Sequence, residues 1–114
     1  MIHQDVIGNL VTGNTNNVAT GNDSATIGGN TNNALGSAGV ILGGKNNSIA
    51  NGAETNTIVA GEINQIQAGT FQSSIIAGST NTIQGGRHNA ILAGKSNIVQ
   101  NGITGSAVVA GNLI

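Results

Sequence analysis

The feature that most constrains the fold is a repeat of about sixteen residues that runs through nearly the whole chain. Six aliphatic segments that end in glycine set its register, among them Thr-Ile-Val-Ala-Gly at residues 57–61 and Ser-Ile-Ile-Ala-Gly at 74–78. Their glycines, with one more between the first two segments, are separated by 16, 15, 17, 17, 16 and 17 residues. We call this set the turn glycines: Gly13, Gly29, Gly44, Gly61, Gly78, Gly94 and Gly111. A fixed period of this kind is typical of chains that stack one structural unit on the next.

Two further columns keep the same register. Three residues after the turn glycines lies an asparagine (Asn16, Asn32, Asn47, Asn64, Asn81, Asn97), and five residues after them lies an apolar side chain (Val18, Ala34, Ile49, Ile66, Ile83, Val99). Gly and Asn suit tight corners, whereas β-branched residues favour strands. The pattern predicts an all-β parallel β-solenoid of six to seven coils of 15–17 residues with two short strands per coil. It forms a single domain over residues 1–114, in which 1–9 are weakly repeat-like and 10–114 carry the repeats.

The two strands of a coil are predicted to differ. In the Asn-x-apolar strand the asparagine and the aliphatic residue share one face and point inward, where the stacked amides bond one another or the turn backbone. The strand before each turn glycine carries adjacent aliphatics on both faces: Ile41, Leu42, Ile58, Val59, Ile75, Ile76, Ile91, Leu92, Val108 and Val109. Left exposed, one of these faces would be a large apolar patch. The pattern therefore predicts a homo-oligomer, with three protomers as the simplest closure, unless the coil is a larger monomeric one that encloses both faces.

The composition argues against several classes of partner and function. The net charge is -1, which offers little attraction to phosphate backbones, so we expect no nucleic-acid partner. Apolar runs are too short to cross a bilayer, so no membrane insertion is expected, and residues 1–5 show no secretory signal pattern. The chain has no Cys, and its single aromatic residue, Phe71, does not make a stacking platform for single-stranded nucleic acid.

The ionisable residues predict no catalytic, cofactor or metal site. Asp23, Glu54 and His88 each lie ten residues after a turn glycine, hence at one corner but on different rungs. Lys45, Glu62 and Lys95 share the first position after a turn glycine. We interpret all of these, with Asp5 and His3, as solvated residues, and expect a protein that is not an enzyme.

The strings Ser-Ser-Ile-Ile-Ala-Gly-Ser-Thr-Asn-Thr-Ile-Gln-Gly-Gly at 73–86 and Val-Ile-Leu-Gly-Gly-Lys-Asn-Asn-Ser-Ile at 40–49 resemble a known class of repeat. They are similar to the head repeats of YadA-type trimeric autotransporter adhesins and to related repeats of phage tail fibres. This resemblance covers nearly the whole chain and implies a left-handed parallel β-roll in a homotrimer, used for attachment or as a virion appendage. The units here are longer than the family's, and a secretion signal, coiled-coil stalk and membrane anchor are not seen.

The expected function is therefore that of a structural component of a virion tail fibre, spike or head decoration, or of a self-assembling filament. Its expected location is a virion or an extracellular assembly. Its expected partners are further copies of itself, including end-to-end stacking, and other proteins of that particle. Two alternatives are a bacterial surface adhesin head fragment and an ice-binding solenoid. For the latter, the outward column Asn17, Asn33, Ser48, Gln65, Thr82 and Ile98 is polar but is not a regular threonine array.

Overall fold

The protein is a parallel β-solenoid. The computed structural model describes residues 9–13, 16–109 and 111, and the backbone of residues 2–4. None of these residues is helical, and the strands stack along an elongated body of 37 × 21 × 14 Å. The prediction of an all-β parallel solenoid is confirmed.

In the described part of the chain, sixteen short strands form three sheets. We call the eight-stranded one, with the order β1-β2-β4-β6-β8-β11-β14-β16, the first sheet, and the six-stranded one, with the order β15-β12-β9-β7-β5-β3, the second sheet. A two-stranded sheet pairs β10 with β13 at a corner. Each strand lies parallel to its neighbours, except that β1 lies antiparallel to β2. The bounds are β1 Ile2–Gln4, β2 Leu10–Thr12, β3 Val18–Ala19, β4 Ala25–Thr26, β5 Asn33–Ala34, β6 Val40–Ile41, β7 Ser48–Ile49, β8 Thr57–Ile58, β9 Gln65–Ile66, β10 Thr70–Phe71, β11 Ser74–Ile75, β12 Thr82–Ile83, β13 Gly86–Arg87, β14 Ala90–Ile91, β15 Ile98–Val99 and β16 Ala107–Val108.

The core lies between the two large sheets and receives one inward side chain from each of six strands in either sheet. The first sheet contributes Thr26, Ile41, Ile58, Ile75, Ile91 and Val108, and the second contributes Ala19, Ala34, Ile49, Ile66, Ile83 and Val99. Because successive side chains of a strand point to opposite faces, a two-residue strand places one side chain inside and one outside. The Ile and Val repeat thus becomes two facing aliphatic columns.

The first coil departs from the predicted register by one residue. Its inward residue is Ala19, which pairs with Ala34, whereas the predicted Val18 pairs with Asn33 and is only half-buried. Gly13 stacks on Gly28 rather than on Gly29, since a Cβ on Gly13 would lie 2.7 Å from Gly28 Cα. The prediction counted from Gly13 and therefore placed the following columns of this coil one residue early.

The corners rely on left-handed backbone at residues other than glycine. Among the described residues, ten have φ between 52° and 60° and form two columns: Thr31, Asn46, Ile63, Thr80 and Ser96, and Asp23, Ala38, Thr55, Gln72 and His88. Stacking maintains this unfavourable conformation, since the N–H of Ile63 donates to Lys45 O at 3.0 Å and that of Thr80 donates to Glu62 O at 2.9 Å. Corner residues also form parallel bridges from rung to rung, beyond the two strands per coil that the repeat predicted.

The turn glycines are required by close contact between rungs. Gly61 has φ 107°, and a Cβ built on it would lie 2.2 Å from Gly78 O. A side chain there would collide with backbone that cannot move without breaking the stack, and it would be strained in any case.

Ile63 tests how much strain the corners contain. It is β-branched, has φ 57° and is 40% exposed, whereas Asn46 occupies the same corner one rung earlier with φ 58°. We expect Ile63→Asn to raise the free energy of unfolding by up to about 1 kcal/mol, because asparagine tolerates left-handed backbone. Urea unfolding followed by far-UV circular dichroism measures the change.

The matched control is Ile98→Asn, which replaces an equally exposed isoleucine (39%) on strand β15, where asparagine is disfavoured. A loss of stability in Ile63→Asn as large as that in Ile98→Asn would contradict the strain argument.

Candidate assembly surface

A column of inward asparagines connects successive rungs. This first amide ladder consists of Asn17, Asn32, Asn47, Asn64, Asn81 and Asn97. From Asn17 to Asn81, each Oδ1 accepts the backbone N–H of the next member at 2.9–3.0 Å. From Asn32 to Asn97, each Nδ2 donates to the carbonyl of the turn glycine one rung further on, at 2.9–3.1 Å. The amide oxygens therefore satisfy corner N–H groups that would otherwise be buried without partners, and the amide nitrogens add a second hydrogen bond to glycine carbonyls that also accept a backbone N–H.

The first member of this ladder is Asn17, so the prediction of Asn16 was wrong. Asn16 is exposed, whereas Asn17 is buried and accepts the backbone N–H of Asn32 at 3.0 Å. The one-residue shift of the first coil explains this difference as well. The structure places the other five predicted asparagines in the ladder.

A second ladder lies half a coil away and was not predicted. It is interrupted by Gly39, and its members are Asn9 and Ser24 on one side and Asn56, Ser73, Asn89 and Ser106 on the other, of which all but Ser106 are buried. Asn56 Oδ1 accepts the N–H of Ser73 at 2.8 Å, and Asn89 Oδ1 accepts that of Ser106 at 2.9 Å. The signal was present in the sequence, since Asn56-Thr57-Ile58 repeats the pattern of Asn47-Ser48-Ile49. Each coil therefore consists of two similar half-coils.

The predicted oligomer strip divides between the inside and the outside of the solenoid. Its members Ile41, Ile58, Ile75, Ile91 and Val108 are core residues, and its members Leu42, Val59, Ile76, Leu92 and Val109 point outward. Ile27 extends the outward column by one rung. We call these six residues (Ile27, Leu42, Val59, Ile76, Leu92, Val109) the aliphatic face. Since Leu42 is 44% exposed and Val109 65%, the alternative of a coil that encloses both apolar faces is wrong for the single chain.

The second sheet provides an internal comparison for the aliphatic face. The residues that follow its inward side chains are Thr20, Leu35, Ala50, Gln67, Gln84 and Gln100. They occupy the same place in their half-coil as the aliphatic face does in the other, yet only Leu35 is a large aliphatic residue. The fold itself therefore does not require Ile, Leu or Val at this position, and the bias on the first sheet needs another cause.

The rest of this surface is small and uncharged. A parallel column two residues earlier on the same face consists of Ala25, Val40, Thr57, Ser74, Ala90 and Ala107. No residue of the first-sheet strands between Leu10 and Val108 is charged. Because these small side chains lie beside the large ones of the aliphatic face, another surface can approach the strands closely.

Charged residues lie at the corners. Lys45, Glu62 and Lys95 form one bridge column together with Asn30 and Ser79. Asp23, Glu54 and His88 lie at one corner on different rungs, as predicted, but Glu54 is one residue earlier than the left-handed column that contains Asp23 and His88, in the bridge column with Ser37 and Phe71. The reason is the variable coil length, which changes the distance from a turn glycine to the next corner. Asp5 and the side chain of His3 lie outside the described residues.

Within the described residues, no three His, Asp or Glu side chains converge as metal ligands would. The same part of the chain contains no helix with the length and apolarity to cross a bilayer. Comparison with protein-family models, curated proteins and solved structures finds no match for this chain.

The amide ladder makes a quantitative prediction at Asn64. Replacing Asn64 with Ala removes the partner of the Asn81 N–H, now bonded at 3.0 Å, and one of two donors to Gly78 O, which keeps the N–H of Glu62. A buried backbone N–H left unpaired costs about 1–3 kcal/mol, so we expect a loss of at least about 1 kcal/mol in the free energy of unfolding. Denaturant unfolding measures it. The control Gln65→Ala alters the exposed neighbour and should stay within about 0.5 kcal/mol of the parent; equal effects of the two substitutions would refute the role of the ladder.

Proposed function

We propose that this chain is a non-enzymatic structural protein that assembles with copies of itself through the aliphatic face. One observation carries the proposal: six consecutive rungs place Ile, Leu or Val outward on one sheet, while the equivalent positions of the other sheet are mostly Gln, Ala or Thr. A column this long is unusual on the surface of a monomeric protein and is typical of interfaces.

The energetics favour cover by a whole sheet rather than contact along the ridge of large side chains. Ile76 and Leu92 still expose 39% and 41% of their surface, so complete burial would contribute roughly 1 kcal/mol each. Six such residues contribute about 6 kcal/mol per chain, which is near the lower end of the cost of association, about 4–15 kcal/mol. Cover of the small column of Val40, Ala90 and their neighbours adds to this contribution, and a sheet from another copy would provide it.

We favour three protomers around a common axis parallel to the solenoid. In a closed ring of three, the neighbouring chains cover the aliphatic face of every chain. A dimer, by contrast, allows the two solenoids to lie either parallel or antiparallel. The trimer, the left-handed winding and a place in a virion tail fibre, spike, head decoration or extracellular filament rest on the resemblance of the repeats to adhesin heads and tail fibres. Other proteins of such a particle are the further partners in this proposal.

End-to-end stacking of copies is also part of this proposal, because a rung of one copy would offer the ladder of the next the same N–H groups that Asn47 and Asn64 offer within a chain.

The outward column of the second sheet does not favour the ice-binding alternative. It reads Asn33, Ser48, Gln65, Thr82 and Ile98, in which side-chain length and polarity change at each step.

The assembly proposal is tested by Ile76→Asp. Placing an unpaired carboxylate within a buried interface costs about 3–5 kcal/mol, so we expect association to weaken by at least about 100-fold. Sedimentation equilibrium and native mass spectrometry should find a multiple of the 11.2 kDa chain for the parent protein and the single chain for the variant. Electron microscopy then separates closed rings from filaments.

The matched control is Gln84→Asp, which introduces the same carboxylate one residue after the inward Ile83, on the opposite sheet of the same coil. Its assembly should equal that of the parent. A parent protein that remains a single chain at high concentration, or an Ile76→Asp variant with unchanged mass, would refute the proposal.

A further inference from the structure

One corner of the solenoid contains charged and aromatic residues that are rare in the rest of the repeat. Glu54, Phe71 and Arg87 occupy successive rungs of one bridge column, and Phe71 and Arg87 are the only aromatic residue and the only arginine of the chain. This is also the place where a corner becomes a strand pair, because β10 and β13 run parallel with Phe71 opposite Arg87. Neither the amide ladders nor the aliphatic face uses these side chains.

The arginine is oriented by the ring below it. The guanidinium carbon Cζ of Arg87 lies over the Phe71 ring at 5.4 Å from its centroid. Stacking on an aromatic face restricts the long arginine side chain and leaves its planar N–H fork directed at solvent. Arg87 is exposed and Phe71 is half-buried, so both are accessible on a single chain.

The backbone beneath these side chains is rigid. Gln72 N donates to Glu54 O at 3.1 Å, His88 N donates to Phe71 O at 3.2 Å, and Gly105 N donates to Arg87 O at 3.0 Å. A site whose side chains project from hydrogen-bonded rungs loses little conformational freedom when it binds.

These residues line a shallow cleft of about 230 Å³ together with Thr55 and Gln72. Along the column the cleft offers a carboxylate at Glu54, an aromatic ring at Phe71 and a guanidinium at Arg87. The backbones of Glu54 and Arg87 are two rungs apart, roughly 10 Å by the strand spacing, which places the carboxylate and the guanidinium toward opposite ends of the cleft. Thr55 and Gln72 add a hydroxyl and an amide, which both donate and accept hydrogen bonds.

The geometry points to a binding site for a uronic acid residue of a saccharide. Its carboxylate pairs with the Arg87 fork, which Phe71 holds in place, and its hydroxyls bond to Gln72, Thr55 and the Glu54 carboxylate. A simple anion would leave the hydroxyl-accepting end of the cleft unused, and a neutral sugar would leave the guanidinium unpaired. The site belongs to one chain and is independent of the self-assembly proposed above.

The test compares two probes that differ at one carbon, methyl galacturonoside with a C6 carboxylate and methyl galactoside with a C6 hydroxymethyl group. Ligand-detected and protein-detected NMR titrations of the full chain measure both affinities. We expect the uronoside to bind about tenfold more tightly, the difference that one charge-assisted bidentate pair provides. Arg87→Ala should abolish this preference, and Arg87→Lys should restore it only in part, because lysine lacks the planar fork.

Two controls make the result specific. Lys95→Ala removes a cation from the other bridge column and should leave both affinities unchanged. Ile76→Asp should also bind the uronoside normally, which separates this site from the aliphatic face. Absence of saturable uronoside binding, equal affinity for the two probes, or a preference that survives Arg87→Ala would overturn the inference.

Discussion

The structure depends on the pairing of buried backbone groups at its corners. In a thin solenoid, each corner directs peptide groups toward an interior that is too narrow for water, and every such group needs a partner. Asparagine supplies both a donor and an acceptor, and its Oδ1 accepts an N–H of the following rung while its Nδ2 donates to a carbonyl of that rung, as at Asn47 and Asn64. The ladders therefore connect each coil to the next, and the aliphatic columns fill the space between the corners.

This constraint explains why coil length varies so little. Successive ladder members are 15, 17, 17 and 16 residues apart, as at Asn32, Asn47, Asn64, Asn81 and Asn97, and the differences are absorbed between the fixed columns. The first coil illustrates the rule, since its additional residue shifts Gly13 relative to Gly29 while Asn17 and Ala19 still meet their partners. Register is thus set by the inward residues rather than by the glycines.

The repeat was sufficient to predict the class of fold and the inward position of Ile49, Ile66 and Ile83, because period and alternation depend on backbone geometry that all coils share. It did not reveal that Asn56 and Asn89 repeat the role of Asn47, since serine replaces asparagine on intervening rungs and hides the column. Nor did it place Phe71 beside Arg87, sixteen positions away. That contact arises from the register of one particular coil, and a counting rule based on turn glycines misplaces such corners by one residue.

The inward residues are therefore needed for folding, and any functional difference between the two sheets must come from their outward residues. The two half-coils share their inward chemistry but differ outside, with large aliphatics at Leu42 and Ile76 against Gln67 and Gln84 at equivalent places. Since both sets of side chains sit on similar backbone, the difference cannot be a requirement of stacking. The proposed self-assembly through one sheet would account for the difference, because the assembling face must lose contact with water while the other face keeps it. The corner with Arg87 on Phe71 lies outside both outward columns and carries the proposed saccharide site.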